Sequence, residues 1–139
     1  MNENTQLPEL LYDALVMAAA AIKKGEPIQA YCFLMDALYL SETQFHYSHP
    51  QAGVFREEMQ NYHDIGELMQ LRTRAMRWFS TFQQDFPKYS ISESLPACYR
   101  LLFNRVTDSV HLLEQGQSAQ AHQMLIQAQQ DAEALYLNN

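Results

Sequence analysis

Apolar residues along this chain recur at the three-and-four spacing of α-helices and rarely alternate with polar ones for long, so the pattern predicts an all-α fold. The first stripe is Leu7, Leu10, Leu11, Ala14, Leu15, Ala18 and Ile22. Thr5 is placed as its N-cap, and Pro8 is tolerated in the first turn, where the missing N–H has no partner to lose. Lys23, Lys24 and Gly25 end it, because cations favour the carbonyl end of the dipole and glycine permits a left-handed cap. Pro27 opens a second helix that is apolar nearly all round: Ile28, Ala30, Tyr31, Cys32, Phe33, Leu34, Met35, Ala37, Leu38, Tyr39 and Leu40. Such a helix is either central in a bundle or covered by a partner.

After a loop bracketed by Pro50 and Gly53, a middle stripe follows through Phe55, Met59, Tyr62, Ile65, Met69, Met76, Phe79 and Phe82. It predicts a long middle helix over 53–86, as one piece or two, since Gly66 weakens it and Arg72 and Thr73 interrupt the stripe. Pro87 stops it. Ser94 caps a helix with Leu95, Cys98, Tyr99, Leu102, Phe103, Val106, Val110 and Leu113 on one face. Gly116 breaks it, and Ser118 is read as the cap of a last helix with a narrow stripe of Ala121, Met124, Leu125, Ala128, Ala132 and Leu135 and a glutamine-rich opposite face. Aligning Gly25 with Gly116 superposes Leu11 on Leu102, Tyr12 on Phe103, Leu15 on Val106, Ile22 on Leu113, Ala30 on Ala121, Phe33 on Met124, Leu34 on Leu125 and Ala37 on Ala128. The expected architecture is a single-domain antiparallel bundle of four to five helices, made of two similar hairpins (5–46 and 94–137) and the long middle helix.

With 139 residues and 47 % apolar content, the chain can bury a sizeable core without a disulfide or metal staple. Its formal charge of −7 argues against a nucleic-acid binder, which needs a basic face, and suits a neutral or basic partner. Cys32 and Cys98 fall on apolar stripes and read as small buried hydrophobes in a reducing, cytoplasmic setting. Neither a signal peptide nor a membrane span is expected.

Candidate chemistry is sparse. Glu42 with His46 and His63 with Glu67 lie one helical turn apart, with His49 and Glu58 near in sequence, but the three-residue Glu–His spacing of helical metal sites is absent, so no metal and no cofactor are expected. Asp13 and Asp36 on apolar helices are a conceivable carboxylate pair that more commonly meets water at a stripe's edge. Phosphate loops, nucleophile elbows and zinc motifs are missing, which disfavours an enzyme. Arg72, Arg74 and Arg77 beside Trp78 either contact an acidic partner or offset nearby glutamates. Seven Met, seven Phe and eight Tyr supply adaptable apolar surface suited to gripping a helix. The residues expected to line such a groove are Tyr31, Met35, Tyr39, Tyr62 and Trp78.

Leu11-Tyr12-Asp13-Ala14-Leu15, the alanine-rich helix after it, the Ala21-Ile22-Lys23-Lys24-Gly25-Glu26 turn and the second apolar helix together resemble the first hairpin of the flagellar secretion chaperones. The stretch from Ser92 to Gly116 resembles that family's Leu/Tyr-rich helix. The resemblance implies an all-helical protein that holds a disordered, helix-forming segment of an export client, with the first hairpin supplying much of the groove. The expected function is therefore a non-enzymatic chaperone or adaptor. The alternatives are a homodimer that buries helix two's surplus apolar face, a small immunity or anti-regulator protein, and a helical metal-binding protein.

Overall fold

The computed structural model describes residues 6–44, 51–85 and 97–137 and is all-helical among them. The helices are α1 (Gln6–Lys23), α2 (Pro27–Gln44), α3 (Gln51–Met59), α4 (Ile65–Asp85), α5 (Ala97–Glu114) and α6 (Ser118–Leu137). The chain divides into two compact units, one formed by Met1–Leu38 with Leu95–Asn139 and the other by Tyr39–Ser94.

The first unit holds the two hairpins, and their turns are built alike. Gly25 and Gly116 both take a left-handed backbone, with φ of 79° and 76°. In the first turn the Gly25 N–H donates to the Ile22 carbonyl and the Glu26 N–H to the Ala21 carbonyl, both at 2.9 Å. In the second, the Gly116 N–H donates to Leu113 at 3.1 Å and the Gln117 N–H to Leu112 at 2.9 Å. This paired pattern satisfies carbonyls that a helix end would otherwise leave orphaned, and only glycine enters it without strain. Each following helix then starts on the next residue. Ala30 N–H donates to Glu26 C=O at 3.1 Å and Ala121 N–H to Gln117 C=O at 3.0 Å. Gln117 rather than Ser118 is thus the capping position, and Ser118 is the first helical residue.

Burial repeats along the same alignment. Leu11 and Leu102, Leu15 and Val106, Ala30 and Ala121, Leu34 and Leu125, and Ala37 and Ala128 are all buried. Small residues are buried along α1 (Ala14, Ala18, Ala21) and along α6 (Ala121, Ala128, Ala132), and these two helices pack on each other. α5 packs on both. The Tyr12 hydroxyl donates to a Glu133 carboxylate oxygen at the far end of the α1–α6 contact.

The two buried serines deepen the parallel. Ser109 and Ser41 are fully buried and their hydroxyls have no hydrogen-bond partner among the described residues. At the corresponding places in the other hairpin stand Ala18 and Ala132, also buried. Ser109→Ala is therefore expected to stabilise the protein by about 1 kcal/mol, since it removes an unpaired buried hydroxyl and improves helix propensity. Chemical denaturation would show a higher midpoint at unchanged slope, and a lower midpoint would refute the expectation.

The second unit decides the middle segment as two pieces rather than one. The segment breaks at Gln60–Asp64 into α3 and α4, which pack on each other. Asp64 Oδ1 accepts from the Gly66 N–H at 2.7 Å and the Glu67 N–H at 3.3 Å, capping α4 through its side chain. The break lets Phe55 and Met59 of α3 and Leu68, Leu71, Ala75 and Phe79 of α4 bury their faces, which one straight helix could not bring together. Tyr39, Phe55, Trp78 and Phe79 join as an aromatic cluster, with successive ring centroids 5.6–6.5 Å apart along Tyr39–Phe55, Phe55–Trp78, Phe55–Phe79 and Trp78–Phe79.

Candidate functional site

The residues expected to bind a partner fall in different environments. Tyr31, Met35 and Tyr39 are 0 %, 1 % and 1 % exposed, so they are core side chains that offer a partner no surface. Along helix two Ala30, Leu34, Ala37, Leu38 and Ser41 are buried as well, while Cys32, Phe33, Asp36 and Leu40 are half-buried. Tyr31 belongs to the first unit, where its hydroxyl donates to Glu114 Oε2 at 2.7 Å. Tyr39 packs on Phe55 in the second.

Tyr62, Trp78 and the three arginines also lie in the second unit. Trp78 is half-buried and packs edge-on against Phe55 and Phe79. Tyr62 donates its hydroxyl to Glu58 Oε2 at 2.5 Å, and Arg74 donates to the same oxygen. The Arg74 guanidinium, helped by the Tyr62 hydroxyl, holds the Glu58 carboxyl below its ordinary range, while that carboxylate pushes the Tyr62 phenol up. Arg72 is half-buried and Arg77 exposed. Arg74 is thus engaged with Glu58 across the α3–α4 hairpin.

Of the metal candidates, His63 and Glu67 are exposed, Glu42 lies in the last turn of α2 with its side chain outside the described residues, and His46 and His49 lie outside the described residues. No group of three or more His, Cys, Asp or Glu among the described residues could hold a metal ion. Asp13 is exposed and Asp36 half-buried, so they do not form a buried carboxylate pair. Burial and the neighbouring Asp36 push the Cys32 thiol up, away from nucleophilic thiolate character. Cys98 is helical, and its side chain lies outside the described residues.

The surface that sequence reasoning passed over is a groove of about 660 Å³ between α1 and α6, lined by Val16, Ala19, Ala20 and Ile22 on one wall and by Ala119 and Ile126 with Gln123 and Gln129 on the other. Val16 and Ile126 are 42 % and 37 % exposed, and Met17 beside them 46 %. Lys23 and His122 lie at one end. Because Tyr12 meets Glu133 while Lys23 shares the groove with Ala119, the two walls run in opposite directions.

The hairpin alignment explains why the groove is there. It places Lys23 on Glu114 and His122 on Tyr31. In one location the Tyr31 hydroxyl and the Glu114 carboxylate bond and close the junction. In the other, Lys23 and His122 both line the open groove. Two sequence signals marked it. Val16 and Ile126 sit off the apolar stripes, and residues 14–22 and 115–130 carry no Asp, Glu, Lys or Arg. Interfaces are depleted of charge at their centres in the same way.

No described helix is long and apolar enough to cross a membrane. Comparison of the chain with family models, with curated proteins and with solved structures gives no match.

Proposed function

We propose that this protein is a non-enzymatic chaperone or adaptor that holds an amphipathic helical segment of a partner protein in the α1–α6 groove, with the two hairpins of the first unit acting as an antiparallel bundle that presents it. The observation that carries this reading is the groove itself: mostly apolar, walled by helices of opposite direction, lined with alanines and carrying its one lysine, Lys23, at one end. A helix laid there meets apolar side chains at helical spacing from both walls, which is how amphipathic segments are gripped. The resemblance to flagellar secretion chaperones points the same way, since α1 belongs to the first hairpin and an export client is what that hairpin would hold in the cytoplasm.

A photo-crosslinking residue in place of Ile126 tests the proposal in cells. It is expected to yield a discrete adduct with a different protein, while the same residue in place of Asn104, exposed on α5, yields none. Adducts only with the chain itself, or none, would overturn the reading.

A further inference from the structure

The outward face of α1 has a polarity of its own. Glu9 and Asp13 are exposed toward its N-terminus, Val16, Met17 and Ala20 along its middle, and Lys23 and Lys24 at its C-terminus. These positions share one side of the helix, opposite the buried Leu11, Ala14, Ala18 and Ala21. None of the four charges enters an ion pair among the described residues.

A face that is acidic at one end, apolar in the middle and basic at the other complements itself only when two copies run antiparallel. In that register Glu9 of one copy meets Lys24 of the other, Asp13 lies beside Lys23, and Val16 meets Met17. Parallel pairing would set like charges against each other at both ends. On the footing that the α1–α6 groove docks helices, we propose that in the free protein its occupant is a second copy of this chain. The two α1 helices lie antiparallel about a two-fold axis between Val16 and Met17, and a client must displace this copy to bind. The three exposed apolar side chains nearest the axis, Val16, Met17 and Ile126, are then covered together. An isologous two-fold contact closes on itself, so assembly stops at the dimer. The apolar centre supplies the attraction, and the end charges select direction and register. Self-association thereby regulates access to the groove.

Sedimentation equilibrium of the full chain over a wide concentration range tests this. The wild type is expected to be a dimer, and K23E/K24E and E9K/D13K, each helical by circular dichroism, are each expected to associate roughly tenfold or more weakly. An equimolar mixture of the two variants restores the dimer, because one α1 face is then acidic throughout and the other basic. Val16→Glu, at an exposed position outside the core, is expected to be monomeric as well. A wild type that stays monomeric throughout, charge variants that associate as well as the wild type, or a mixture that stays monomeric would each overturn the self-docked groove. Those results leave the crosslink from Ile126 to a different protein standing, whereas loss of that crosslink alone removes the client and not the dimer.

Discussion

Leu15→Ala is expected to lower the free energy of unfolding by about 2–5 kcal/mol, while Val16→Ala, one residue further along α1, changes it by no more than about 0.5 kcal/mol. Leu15 is fully buried, and its counterpart Val106 is buried too, so a truncated side chain leaves a cavity in the core shared by both hairpins. Val16 points into the groove, and removing its two methyl groups costs the isolated fold little, because water already reaches them. The two substitutions are therefore expected to separate folding from association: Leu15→Ala shifts the denaturation midpoint, and Val16→Ala weakens the dimer. Equal destabilisation by both in denaturant titration would show that Val16 belongs to the core.

Tyr31→Phe is expected to cost about 1.5–3 kcal/mol although it removes a single oxygen. The Tyr31 hydroxyl is the donor to a Glu114 side chain that is only 6 % exposed, and the carboxylate's second oxygen lies 3.5 Å from His111 Nδ1. Without that donor a nearly buried carboxylate loses a charge-assisted bond and gains no water in exchange. A double-mutant cycle with Glu114→Gln is expected to give a coupling of about 1–3 kcal/mol. His122→Phe, the same position in the other hairpin, is expected to stay within about 0.5 kcal/mol, because His122 lines the open groove rather than a closed junction. A Tyr31→Phe midpoint matching the wild type would show that the junction is held by packing alone.

The all-α class, both glycine turns and the internal repeat were legible in the residues, because each rests on local rules. Gly25 and Gly116 follow a cation-bearing or amphipathic last turn, and the stripes before and after them keep helical spacing. The break in the middle segment was legible too, in Asp64 followed three residues later by Glu67, a capping pair overshadowed by the nearly continuous apolar stripe on either side. An apolar stripe reports which face a helix buries and is silent on whether the next turn stays in line.

Burial within the candidate set was hidden for a related reason. Tyr31, Met35 and Tyr39 looked available because helix two is apolar on every side, yet all three are buried, and only three-dimensional packing decides which of several apolar faces is covered. Val16 and Ile126 looked incidental because each is a single residue off its stripe. They are more than a hundred positions apart in the chain and become one surface only when α6 returns antiparallel beside α1. What the sequence by itself determined is the helical class, the two glycine turns and most of the faces the helices bury, since these follow from interactions a few residues in reach. Tertiary structure alone decided which junction between hairpins is closed and which is open. That depends on whether two distant side chains meet in a hydrogen bond, as Tyr31 and Glu114 do, or line a space that stays open, as Lys23 and His122 do.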